Sequence, residues 1–210
     1  MSVLTDSLNQ IMQWLEENRP DYAASFLPGL NDEEIRKKLA NVELELPLEI
    51  YELYRWRNGT QNGEDPKSVI YPCMEFMPLD EALEYYDDFI ENQLEIFDEE
   101  DYRNIFELLD ANQVYLYGEQ KYLFPFYRSN CSFCNVFLTK EQQYHSPIID
   151  KADELGLSLI FRSLTSMMQT LAEYLETGAH YLDEEDYLNG DEEKMLPIFQ
   201  KYNPGLDLIG

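Results

Sequence analysis

Residues 46–59 read LPLEIYELYRWRNG, and this stretch decides the fold. Pro47 suits the first position of a helix, where the missing N–H costs nothing. Ile50, Leu53 and Tyr54 recur at spacings of three and four, giving one apolar stripe. Gly59 after Asn58 supplies a left-handed stop. The stretch predicts a short helix over 47–58 with one buried face.

Upstream, Leu4, Leu8, Ile11, Met12 and Leu15 mark a first helix over 3–17, and Pro20 and Pro28-Gly29 interrupt the pattern. A second helix starts at Asn31, which caps it. Glu34, three residues on, completes a capping box, and Ile35 and Leu39 face inward. Downstream, 60–67 reads as a polar loop and 68–79 contains a short strand. A helix follows from residue 80, with Leu83, Tyr86, Phe89, Ile90 and Leu94 on its inner stripe. The segments 114–118, 122–127 and 135–139 are rich in aromatic and branched residues and read as strands of a meander. Pro125 requires its strand to lie at an edge or to carry a bulge. The tyrosines and phenylalanines of 122–127 read as alternating core and surface positions, and tyrosines exposed there would form a protein-binding surface. An extended piece at 146–150 and a strand or turn at 157–161 lead to a helix capped by Ser163 or Thr165. Leu164, Met168, Leu171 and Leu175 line its buried face, and Gly178 ends it. A short helix is expected at 194–199. The pattern predicts one α+β domain, with a mainly antiparallel sheet of about four to six strands flanked by helices.

The chain has 210 residues, 44% of them hydrophobic and 14% aromatic, enough for one sizeable core. Its formal charge is -27, from 42 acidic and 15 basic residues. Such a surface repels nucleic acid and anionic membrane and favours basic partners, metal cations or plain solubility. No secretory signal and no stretch of ~20 apolar residues is evident. Three cysteines suit a reducing cytosol better than a disulfide framework. Cys131 and Cys134 form a lone CxxC, and Cys73, His145 and His180 lack zinc-finger spacing. Neither metal nor cofactor is expected.

The usual catalytic signals are missing: no glycine-rich phosphate loop, nucleophile elbow or HExxH occurs. His145 and His180 are expected at the surface. Residues 186–193, DYLNGDEE, have the composition of a calcium loop without its spacing. Arg55, Arg57 and Arg128 are expected to pair with carboxylates; an anion site would arise if Arg128 met the other two.

Residues 29–35, GLNDEEI, and 46–59 together resemble the paired hallmark of the SUKH superfamily, a group that includes cell-wall-assembly and killer-toxin-resistance regulators. The hallmark positions here are Gly29, Asn31, Glu34, Ile35, Leu46, Pro47, Ile50, Leu53, Asn58 and Gly59. Pro125 and Phe126 match the family's aromatic strand, and 163–171 its closing helix. Thr139-Lys140 stands where an aspartate is common. The likeness spans roughly residues 20–176 and implies a SUKH-like domain over 1–178, with 179–210 as an acidic extension packed on it. It further implies a cytoplasmic binding module without catalytic residues, as in bacterial immunity proteins that neutralise a toxin.

Residues 80–101 hold eleven Asp or Glu and no Lys or Arg. On the immunity reading, Asp87, Asp88, Glu91, Asp98, Glu99 and Asp101 contact a basic toxin domain such as a nuclease, and Tyr85 and Tyr86 supply an aromatic anchor. The alternatives are a regulatory adaptor of cell-wall or stress signalling and, more remotely, a hydrolase using paired carboxylates.

Overall fold

Helix α4 (Leu48–Trp56) buries Ile50, Leu53 and Tyr54, as the stripe predicts. Pro47 sits one place earlier than expected, at the N-cap, and offers no side-chain cap. The free N–H groups of Leu48 and Glu49 donate instead to the carbonyls of Gln143 and Tyr144. The helix ends at Trp56, before Asn58-Gly59. Those two residues belong to strand β2 (Arg57–Thr60), a correction to the expected glycine stop. Gly59 has φ +80°, and a Cβ there would meet the backbone of Met77 and Pro78 at 2.3–2.6 Å. Asn58 Oδ1 accepts from Leu79 N at 3.0 Å and so opens the next long helix.

The structure is a computed structural model describing residues 2–61, 74–96, 105–109, 123–129, 132–152 and 156–208. The expected strand at 114–118, most of the 60–67 loop, Cys73 and Cys131 lie outside these residues. Before α4 come α1 (Val3–Asn18), α2 (Pro20–Ser25), β1 (Phe26–Pro28) and α3 (Asp32–Lys38). Pro20 does not only break α1; it begins α2 at the position where proline is tolerated. Asn31 and Glu34 form the expected capping box of α3. After β2 follow β3 (Glu75–Phe76), α5 (Leu79–Ile96), β4 (Leu123–Arg128), β5 (Ser132–Phe137), β6 (Ile148–Ala152) and β7 (Gly156–Phe161). Helix α6 (Leu164–Thr177), the hairpin β8 (His180–Leu182) and β9 (Leu188–Gly190), and α7 (Glu192–Tyr202) complete the described chain.

The fold is α+β. Strands β3 to β7 form a five-stranded antiparallel sheet in sequence order, and β1–β2 and β8–β9 are separate antiparallel pairs. The register of β4 on β5 slips between Pro125 and Tyr127, the bulge that a proline in an inner strand requires. Residues 123–127 are all buried, which corrects the alternating pattern read from the sequence. A strand covered on both faces carries a continuous apolar run. Tyr127 and Phe76 stack with centroids 5.2 Å apart, and Tyr54 closes on Phe76 at 5.5 Å, tying the α4 stripe to the sheet.

Helix α5 packs across β4, while α6 packs against α1, α4 and α7. Ser163 caps α6 and Gly178 ends it in the left-handed conformation. Asn203, fully buried, fastens the end of α7. Its Oδ1 accepts from Arg162 N at 3.1 Å and Ser166 Oγ at 2.8 Å, and its Nδ2 donates to Thr170 Oγ1 at 3.1 Å.

Candidate binding surfaces

Helix α5 separates most of its described residues by face, although Ile90, expected on the inner stripe, is exposed. Leu79, Ala82 and Tyr86 are buried; Glu84, Asp87 and Asp88 form an exposed stripe at spacings of three and four. Tyr86 is only 3% exposed, with its ring 5.6 Å from Phe124, so it is a core residue and not the anchor expected of it. Tyr85 is held too. Its hydroxyl accepts from Arg128 Nη1 at 2.6 Å, its face lies 5.5 Å from the guanidinium, and its ring packs at a tilt on Phe133 with centroids 5.1 Å apart. Asp98, Glu99 and Asp101 lie outside the described residues, as does the side chain of Glu91.

Arg128 gathers the inner flank of this surface. Its Nε donates to Glu75 at 3.0 Å and its Nη1 pairs with Glu81 at 2.6 Å. Burial raises the Glu81 carboxyl above its usual range, against the pull of Arg128, and the charges of Glu75 and Glu84 add to the rise. Lys38 pairs with Asp80 at 2.6 Å. Arg128 thus neutralises carboxylates on the sheet side, Lys38 pairs with an exposed one, and α5 itself carries no basic residue.

The three arginines do not converge. Arg55 pairs with Asp32 at 3.4 Å and donates to the Tyr51 carbonyl at 3.2 Å. Arg57 lies 5.4 Å from the Trp56 ring. A cleft of about 420 Å³ between α3 and α4 is lined by Asp32, Arg36, Tyr51, Arg55 and Gln142, among others. Burial, reinforced by Glu45, raises the Tyr51 phenol, which keeps it a neutral donor there.

Sequence reasoning missed Glu49. It is 1% exposed, on the first turn of α4. Its Oε1 accepts from Thr165 N at 2.7 Å and meets His145 Nδ1 at 2.9 Å, and its Oε2 accepts from Ser146 N at 3.4 Å. One carboxylate therefore joins α4, the segment before β6 and the positive end of α6. The Glu49 hydrogen bond raises the His145 imidazole above its ordinary value despite partial burial. Among 42 carboxylates, nothing in the sequence marks this one.

His180 is the other correction: it is 4% exposed, not superficial. Burial pushes its imidazole down to about 4, so it is neutral near pH 7. It faces Tyr174 at 4.8 Å and lines a cavity of about 430 Å³ with Leu188, Glu192, Met195 and Leu208. Cys134 is buried in β5, its Sγ 3.2 Å from Met74 Sδ, and burial pushes the thiol well up. Among the described residues, no group of three or more His, Cys, Asp or Glu is placed to hold a metal ion. No described helix is long and apolar enough to cross a membrane. No protein-family model matches the chain, and a search of curated proteins finds no match.

Proposed function

We propose that this chain is a non-enzymatic protein-binding module of the immunity type, with a SUKH-like arrangement, that neutralises a cationic toxin domain in the cytoplasm. The observation that carries the reading is the exposed Glu84–Asp87–Asp88 stripe on a helix without a single basic residue, in a chain of charge -27. A nuclease groove is basic because it holds phosphates, and an acidic face is steered toward it and occupies the phosphate positions. The hallmark residues have scaffold duties, which supports a binding role for the surface around them: Asn31 and Glu34 cap α3, Asn58 caps α5, and Ile50 and Leu53 are core.

The test is capture from the native host with the tagged chain as bait, read by mass spectrometry and subunit stoichiometry. A single basic toxin domain in equimolar amount is the expected result. An envelope or signalling protein in its place would favour the adaptor reading and overturn this one.

A further inference from the structure

With Tyr86 buried and Tyr85 engaged by Arg128, neither of the two tyrosines expected on α5 is an open anchor. Exposed aromatic rings occur instead on the β8–β9 hairpin. His180 pairs with Gly190 and Leu182 with Leu188; His180 faces Tyr174, and His180 and Leu188 line the cavity. The intervening tyrosines at 181 and 187 are exposed, while Asn189 also borders the cavity. Tyr181 pairs with Asn189, and the ladder continues through the Asp183 N–H to the Tyr187 carbonyl at 2.9 Å. Tyr181 and Tyr187 are therefore on one outward face, 47% and 40% exposed. Asp183 holds the face in shape, accepting from Glu185 N, Tyr187 N and Asn189 Nδ2 at 2.8–2.9 Å. Beside the rings, the tip presents the exposed residues Glu184, Glu185 and Asp186. Residues 180–191 contain five carboxylates and no Lys or Arg.

We infer that this outward hairpin face is the aromatic docking site of the protein, and that its occupant is an arginine-bearing segment of a basic protein partner. Charge complementarity selects a cationic occupant. Two tyrosine faces select arginine over lysine, because a planar guanidinium stacks on a ring while its edge forks to a carboxylate. Tyrosine also suits this task for its large contact area and few rotamers. The inference rests on the reading of the chain as a binder of cationic protein, and it assigns the anchor of that contact to the hairpin.

The test is a titration of the full ¹⁵N-labelled chain with a twelve-residue peptide of alternating arginine and serine, and with its lysine counterpart, followed by amide shifts. Saturable perturbations centred on 180–189 are expected, with the arginine peptide bound about fivefold more tightly than the lysine peptide. Tyr181→Ala with Tyr187→Ala should weaken the arginine peptide about tenfold. The double phenylalanine variant should retain the affinity, since the rings and not the hydroxyls stack. Glu16→Gln with Glu17→Gln, on the exposed side of α1, provides a control for overall charge and should change affinity less than about twofold. Unshifted amides in β4–β7 verify that each variant is folded. Perturbations centred on α5, with the alanine variant unaffected, would overturn the hairpin assignment and leave the cationic-partner reading standing. Equal affinity for the two peptides would overturn the selection of arginine. Absence of saturable binding on any face would overturn the assignment together with the reading beneath it.

Discussion

Replacing Glu49 with alanine should remove the clamp between α4, the 144–146 segment and α6. The carboxylate is buried and takes close hydrogen bonds from Thr165 N at 2.7 Å and His145 Nδ1 at 2.9 Å, plus a long one from Ser146 N at 3.4 Å. A hydrogen bond to a charged acceptor contributes about 1.5–3 kcal/mol, and the long contact adds little. His145 is solvated once released, so the loss comes mainly from the Thr165 and Ser146 N–H groups and is expected at about 2–4 kcal/mol, a large share of the ~5–15 kcal/mol of an ordinary domain. Urea unfolding followed by far-UV circular dichroism measures it, with an unchanged m-value as the check on two-state behaviour. A loss below about 1 kcal/mol would refute the clamp. The pH dependence gives a second arm. His145 has its folded pKa raised, first by the Glu49 hydrogen bond. Its contribution is thus complete below the unfolded value of about 6.5 and fades as pH rises through the folded value. Glu49→Gln should flatten that alkaline loss, which is modest because the imidazole is 57% exposed.

Other substitutions test the frame. A Cβ on Gly29 would fall 1.8 Å from the Arg55 carbonyl oxygen, so Gly29→Ala should cost about 3 kcal/mol. The corresponding drop in Tm is about 6–12 °C, and a drop under about 2 °C would contradict the close approach. Asn203→Ala strands Arg162 N and removes the links to Ser166 and Thr170, and should cost about 2–3 kcal/mol, with amide-exchange protection of Glu192–Tyr202 falling first. Unchanged protection would mean that Asn203 does not fasten α7. The two histidines should titrate apart by NMR. The His145 midpoint should lie above 6.5 and that of His180 near 4, and a normal midpoint for His180 would contradict its burial. Because His180 is depressed, its contribution to stability is present above about 6.5 and is lost as pH falls toward 4.

Local chemistry was the legible part of the fold. The Asn31–Glu34 box and the Gly178 stop are dictated by nearest neighbours, and the sequence shows them directly; it narrows the α6 cap to Ser163 or Thr165 and the Pro125 strand to an edge or a bulge, and packing decides each. Asn58-Gly59 misled because a left-handed glycine ends a helix or bends a strand equally well. Only the tertiary contact of Asn58 with Leu79 decides between them. Tyr85 and Tyr86 are adjacent and indistinguishable in sequence, and helical phase sends one to Phe124 and the other to Arg128. Glu49 and His180 were invisible for a related reason. Each is buried by a segment distant in the chain or folded back upon it, and the place of His180 just past a helix stop points to solvent instead. The hairpin was missed because its acidic tip, DEED, read as a solvated run and carries no glycine turn signal.

The central claim is a steered contact with a cationic protein. Its most direct test is the association rate with the captured partner, measured by stopped flow from low to high ionic strength. The account predicts a rate constant that falls at least about tenfold between 50 and 500 mM salt, with the dissociation rate changing far less. An association rate indifferent to salt would contradict it.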